Sequence, residues 1–403
     1  MRGQGLRVAV VGAGIGGLAA AMVLLRAGLQ VQVFEQAPVL CEVGAGMHLA
    51  PNGSRLLHRF GLGPRLREVA VRPEELEVRR WDSGEVAARQ PMGAGWEAEF
   101  GGPHYTLHRA DLHAILADQV PAGLVRLGRR CTGFAEDADG VRIDFADGGT
   151  HRAEVLVGAD GVHSVVRRAT AGAERPVFAG TAAVRGVLPA AALPGLAPDR
   201  LYVWAGPGAR MLVCPVRSGR ELSFVAVVPQ ADAEVDSWSR TGDPRQLARV
   251  FAGWEPQVRA LVAAAADTGS WSLYDREPLA RWSTARTTLL GDAAHPMLPH
   301  HGQGASQALE DAVALAACLT REPAGPRQVP DALRAYQLLR LDHTSRVRAQ
   351  SLDGGSQRLG PRPGAGGAAG GGGMSRMLED VSWVQRYDVQ AALDPVGAAG
   401  GRR

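Results

Sequence analysis

Apolar residues open the chain in short bursts punctuated by glycine. Arg7 to Val11 reads as a short buried strand, Gly12 to Gly17 as a tight turn, and Leu18 to Ala27 as a helix ended by Gly28. Leu29 to Glu35 then reads as a second strand, so the chain begins as a β-α-β unit. Between Ala37 and about Pro103 the pattern is mixed, with a helical stretch near Asn52 to Phe60 and a strand-like Glu77 to Trp81. A strand through Tyr105 leads into a helix over His108 to Gln119. From Val125 the pattern turns β-rich, with Gly140 to Phe145 and a buried strand at Glu154 to Val157. Val177 to about Val228 holds several strand candidates broken by Gly and Pro, which suits an antiparallel sheet carrying a substrate pocket. Thr287 to Leu290 is one more apolar strand, and Ala305 to Leu319 a strongly apolar helix. The Gly-dominated stretch 354–373 buries too little side chain to order itself and reads as a flexible loop, with order resuming at Met374 to Ala392.

Length and charge narrow this picture. With 403 residues the chain exceeds one ordinary domain and suits a nucleotide-binding unit with a substrate domain inserted. Its 44 basic residues, all Arg, nearly balance 41 acidic ones, which leaves no field for nucleic acid. Cys41, Cys131, Cys214 and Cys318 lie too far apart for a metal-type or redox-type pair, so a reducing cytoplasm is the expected setting. The uncharged run Val8 to Leu25 invites comparison with a signal peptide or membrane anchor, but Gly12, Gly14, Gly16 and Gly17 crowd the half where an anchor favours Leu.

Three segments carry candidate chemistry. In Gly12-Ala-Gly14-Ile-Gly16-Gly17, Gly12 turns the chain, Gly14 admits a pyrophosphate to the backbone and Gly17 lets helix pack on strand. The helix N-terminus attracts negative charge, and Glu35, closing the next strand, is placed to accept hydrogen bonds from ribose hydroxyls. This segment alone does not separate FAD from NAD. The other two are Gly158-Ala-Asp160-Gly161-Val-His-Ser164-Val-Val-Arg167 and Gly291-Asp292-Ala-Ala-His295-Pro296-Met297-Leu-Pro299. Each sets an Asp after a buried strand, at a sheet edge where ligands bind; taken singly, each fits a turn or a helix cap as well. Gln303-Gly304-Ala305 opens the apolar helix, so bare N–H groups there suit the anionic edge of a reduced flavin.

In this order and spacing the segments resemble the flavoprotein aromatic hydroxylases, the family of salicylate hydroxylase and 6-hydroxynicotinate 3-monooxygenase. Further matching stretches are Val33-Phe34-Glu35-Gln36, Gly44 to Asn52, His108-Arg109-Ala-Asp111-Leu112, Arg281-Trp282-Ser283, and Gln303-Gly304-Ala305 before Glu310-Asp311. The resemblance implies an α/β fold: a Rossmann-like FAD-binding domain with a parallel sheet, plus an inserted antiparallel-sheet substrate domain. We expect residues 1–75, 104–175 and 280–350 in the FAD-binding domain, 76–103 and 176–279 in the substrate domain, and 374–403 as a C-terminal segment.

It further implies that Glu35, with Gln36 beside it, holds the adenosine ribose and that Arg109 reaches the ribityl and phosphate region. The backbone at Cys131 would touch the adenine side, and Asp292 would hold the ribityl hydroxyls. Asp160 and Arg167 would organise both flavin and nicotinamide. In the family, hydride from NADH or NADPH reduces FAD, oxygen adds to give a flavin hydroperoxide, and one oxygen passes to an electron-rich aromatic ring. A base near the ring hydroxyl is expected, and His48 is the candidate, with Met297 and His300 at the pocket edge. Where the hydroxynicotinate enzymes carry a His and a Tyr, Arg210 and Cys214 stand here; Arg210 would pair with a substrate carboxylate or sit as a solvent-facing edge charge. We expect a monomer or homodimer, with no membrane or nucleic-acid partner. Epoxidation on the same fold is an alternative, and a non-catalytic FAD-binding redox sensor is the reading from another class.

Overall fold

The computed structural model describes residues 5–40, 44–172, 176–231, 242–265, 267–321, 325–358 and 382–393. Strand Arg7–Val11 is buried from Val8 onward, as expected for a strand with neighbours on both sides and both faces covered. It pairs in parallel with Gln30–Phe34 and with Val155–Gly158. Thr287–Leu289 and Val125–Arg126 complete a five-stranded sheet whose pairings are all parallel. Thr287–Leu289, Val155–Gly158 and Arg7–Val11 lie side by side, so the segments that follow them emerge at one edge. Three motifs far apart in sequence are thereby gathered at the carboxyl ends of adjacent strands, where α/β sheets bind ligands.

Two helices cover this edge, Ile15–Arg26 and Gly304–Thr320. Gly16 sets their approach, since an added Cβ would stand 3.0 Å from Leu290 Cδ2 and 3.3 Å from Ala308 Cβ. Behind them lies the long helix Val329–Arg358, which takes in residues 354–358 of the stretch expected to be a loop. Residues 359–381 and 394–403 lie outside the described residues, as does Cys41. In the expected C-terminal segment, Ser382–Arg386 and Val389–Leu393 are helical.

A second, seven-stranded sheet runs in the order Thr268–Asp275, Val177–Pro189, Glu221–Pro229, Ala209–Val216, Arg200–Gly206, Glu75–Arg80 and Val86–Pro91. Its pairings are antiparallel except for Arg200–Gly206 against Glu75–Arg80. One face packs Trp204, Phe224, Phe251 and Trp254 beneath helices Pro244–Val250 and Pro256–Ala264. The opposite face carries Leu212, Val225 and Arg185, which the register sets side by side across three strands. The short pair Gly46–Leu49 and Tyr105–His108 bridges the two sheets. Gly46 N donates to Ser223 Oγ at 2.7 Å and Thr106 Oγ1 to the Pro215 carbonyl at 2.6 Å.

Candidate active site

The glycine turn is built around Gly12, whose φ of +102° is a backbone conformation that glycine adopts freely. An added Cβ there would meet the Ala159 carbonyl oxygen at 2.4 Å, and one on Gly17 would meet the Gly12 carbonyl oxygen at 1.9 Å. Strand, turn and helix therefore touch through bare backbone. Glu35 secures the turn from the next strand, accepting from Ala13 N and Ala37 N at 2.8 Å each. Gln36 beside it is exposed, and Cys131 is buried at the start of strand Cys131–Asp137.

Asp160 takes the helix-cap role that its segment also allows. Its carboxylate accepts from Val165 N at 2.7 Å, Val166 N at 3.2 Å and the Ser164 hydroxyl, capping helix Val165–Ala171. Burial raises its carboxyl above the ordinary value against these donors. The effect is to fix the turn whose Gly161 and Val162 face the cavity. Arg167, buried in that helix, reaches the Ala293 and Ala294 carbonyls at 3.4 and 3.5 Å, tying the Asp160 segment to the Asp292 segment.

Between the two sheets lies a cavity of about 390 Å³. Gly14, Arg109, Asp292, Gln303, Gly304 and Ala305 line one side; His48, Arg210, Met297 and His300 line the other. Cys214 does not reach it. That thiol packs against Met92, Leu201 and Val216, and burial pushes it up to about 12. Gly12, Gly17, Glu35, Gln36, Cys131, Asp160 and Arg167 also stand outside the cavity wall, supporting it from behind or beyond it.

Two helix N-termini open on this space, at Gly14 and at Gln303, and neither has a side-chain cap or an acidic residue in its first turn. The helices at Arg109 and Val165, by contrast, are capped by His108 and Ser164. Uncapped N–H groups at two sites on one cavity suit a ligand that is anionic at both ends of its reach, as FAD is with its pyrophosphate and pyrimidine edge. Asp292 is the sole carboxylate among the described lining residues, against Arg109, Arg185, Arg210 and Arg276. The residues present therefore fit FAD, with cationic surplus left for a second anion.

Arg210 is 7% exposed, and its Nη2 lies 2.7 Å from His300 Nδ1, so it is a cavity residue and not an edge charge. Arg185 stacks on Trp271, its guanidinium carbon 4.4 Å from the ring centroid, and has no acid partner among the described residues. Burial, with Arg109 adding to it, pulls Arg185 down to about 10, which leaves it charged near neutrality. His48 Nδ1 lies 3.1 Å from His104 Nε2, and burial holds the His48 imidazole down at about 4.

Sequence reading did not find His104, Arg185, Trp271 or the buried network behind the flavin-side helix. There Asn52 donates to Gln303 Oε1 at 3.1 Å and Glu310 Oε1 at 2.6 Å; Arg340 joins Glu310 at 2.7 Å and Asp311 at 2.8 Å; and His295 Nε2 meets Asp311 at 2.6 Å. Burial alone would raise the Asp311 carboxyl, but His295 and Arg340 hold it well below the carboxylate range. Ser306, Gln307, Glu310 and Asp311, polar at helical spacing inside an apolar helix, were the available signal.

Comparison with known proteins agrees with this geometry. A family model described as an FAD binding domain matches residues 5–351. A 3-amino-4-hydroxybenzoate 2-monooxygenase of Streptomyces cremeus is 43% identical over 347 residues, covering 86% of each chain. A 6-hydroxynicotinate 3-monooxygenase of Bordetella bronchiseptica is 39% identical over 351 residues, covering 86% of this chain and 91% of that one. The structure of a salicylate hydroxylase substrate complex superposes with a TM-score of 0.84 at 28% identity, over 97% of both chains. Likeness of this degree over nearly the whole fold makes this protein a member of the FAD-binding family, among its aromatic-ring monooxygenases.

Proposed function

We propose that this protein hydroxylates a small aromatic ring bearing a hydroxyl and a carboxylate, of the aminohydroxybenzoate or hydroxypyridine-carboxylate type. The reading is carried by one juxtaposition: a cavity holding His48 on one strand and the buried Arg210 on the facing sheet, beside two uncapped helix N-termini. Bound FAD supplies acceptance of hydride from NADH or NADPH and activation of O2, and this chemistry belongs to the cofactor. Gly14, Arg109 and Asp292 would hold its phosphate and ribityl parts, Glu35 its ribose, and the N–H groups at Gly304 and Ala305 its pyrimidine edge.

The protein's own part is binding, orientation and one proton. Val225, Leu212 and Val203 give the ring an apolar floor. Arg210, steadied by His300, pairs with the carboxylate, and Arg185 on Trp271 adds positive potential beside it. His48, neutral near neutral pH and on the cavity wall, takes the ring hydroxyl's proton, which makes the ring electron-rich where oxygen is delivered. The hydroxynicotinate enzymes resemble this chain in carrying a His at that position, but Arg210 stands on the cavity wall where they carry a His. The aminohydroxybenzoate class is favoured by the higher identity of its enzyme, 43% against 39%.

Free thiols at Cys131, Cys214 and Cys318 support a reducing cytoplasm, and we infer a monomer or homodimer working there. Among the described residues no helix is long and apolar enough to cross a membrane. The test is Arg210→Gln assayed with a carboxylated ring and with the same ring lacking the carboxylate. Loss of a charged hydrogen bond, about 1.5–3 kcal/mol, raises KM for the first by about 10- to 100-fold and leaves the second unchanged. Equal effects on both rings contradict the assignment of Arg210.

A further inference from the structure

We propose that His104 is a positioning residue that sets the tautomer of His48 and, through it, the ionisation of the bound ring hydroxyl. The inference rests on the reading of His48 given above. His48 sits on strand Gly46–Leu49 opposite Thr106, and His104 stands just before the strand carrying Thr106, so the backbone register presents the two rings to each other. They meet edge to face, centroids 5.4 Å apart, with His48 Nδ1 and His104 Nε2 at hydrogen-bond distance. The two outer nitrogens, His48 Nε2 and His104 Nδ1, are buried without a protein partner. Gly302, at φ +63°, passes over His48 so closely that an added Cβ would stand 3.1 Å from His48 Cβ, which holds the ring in place.

Other ionisable groups on the surrounding elements are Arg55 and His58 on helix Pro51–Arg59, His108 and Arg109 after Tyr105, His300 and His301 in the turn before Gly302, and Arg210 across the cavity. None is hydrogen-bonded to either imidazole. Burial lowers both rings, and each is neutral at neutral pH.

A contact between two neutral imidazoles contains one proton. If His48 Nδ1–H donates to His104 Nε2, His48 Nε2 is left with a bare lone pair able to accept a proton and His104 carries its proton on Nδ1. If His104 donates instead, His48 Nε2 bears a proton and cannot act as a base. In the first arrangement the O–H bond of the ring hydroxyl breaks as Nε2–H forms, no electrons leave the pair of molecules, and the Nδ1–H bond to His104 becomes charge-assisted. His104 thereby favours the imidazolium that an isolated buried histidine would resist.

The test uses the FAD-loaded protein and 4-hydroxy-3-nitrobenzoate, whose phenolate is coloured, titrated by difference absorbance. With wild type the bound hydroxyl ionises at lower pH than in free solution, and His48→Gln removes that shift. His104→Leu raises the midpoint by about one pH unit, a tenfold loss, and His104→Gln, which restores an acceptor, recovers most of it. A midpoint unmoved by His104→Leu, with FAD content and probe affinity retained, overturns the proposal while His48 stands. A midpoint unmoved by His48→Gln, or a probe that does not bind wild type, removes the underlying reading and this one with it. Nitrogen NMR of histidine-labelled wild type gives a check that needs no variant: Nδ1–H and bare Nε2 on His48 support the assignment, and the reverse tautomer overturns it.

Discussion

At the scale of the residue, the glycines of the first turn differ in what they do, and substitution separates them. A Cβ at Gly17 would overlap the Gly12 carbonyl, whereas Gly28, at φ +87°, faces open space. Gly17→Ala is expected to abolish FAD loading, seen as loss of the visible flavin spectrum. Gly28→Ala should cost only about 1–2 kcal/mol of left-handed strain in a denaturant titration and keep its flavin. Spacing made Gly12, Gly14 and Gly17 legible, because turn, approach and packing each demand glycine at a set offset. Asp160 was legible as a motif and not as a contact, since the helix behind it takes up its carboxylate. His104 was not legible at all, because its partner lies 56 residues away and is brought to it only by strand pairing.

At the scale of the element, helix Gly304–Thr320 combines a glycine-opened start aimed at the cavity with a body that buries Glu310 and Asp311 completely. Two carboxylates in an apolar helix persist because Arg340 of the long helix reaches both; burial opposes its charge, but Glu310 and Asp311 more than offset that. Arg340→Met leaves Glu310 without its arginine and Asp311 with His295 as its remaining side-chain partner, and destabilisation of about 3–5 kcal/mol is expected in urea unfolding, with weaker FAD retention. A loss under 1 kcal/mol would mean that the network does not hold the helix. The apolar helix was legible from its run of Ala and Leu. The pairing was not, because Arg340 belongs to a helix whose amphipathic pattern is interrupted by buried Arg340, His343, Thr344 and Ser351. In the strand-rich middle, alternation revealed the sheet but not its order, and the parallel pairing of Arg200–Gly206 with Glu75–Arg80 needs a long-range connection that no local pattern encodes.

At the scale of the whole molecule, burial of neutral histidines links folding to pH. His48 is held at about 4 and His343 at about 3, while His104 lies well below its ordinary 6.5, all chiefly through burial. In that window the unfolded chain binds protons that the folded one refuses, so their contribution to stability is present above about pH 6.5 and is lost as pH falls toward 4. Thermal melts should therefore show Tm dropping across that range, and a Tm constant down to pH 4 would contradict the neutral, buried state of these rings. The architecture as a whole, a parallel nucleotide-binding sheet joined to a wide second sheet, follows from three strand-end motifs that must meet at one edge. What it positions is an oxygen-transfer cavity, and the most direct measurement of that claim is NADH and NADPH oxidation by the FAD-loaded protein against a panel of hydroxybenzoates, aminohydroxybenzoates and hydroxypyridines, with products identified by mass. One ring that accelerates oxidation and gains a single oxygen atom is the result expected. A protein that takes up no FAD, or that oxidises the nicotinamide at the same rate with every ring and returns each ring unchanged, would contradict it.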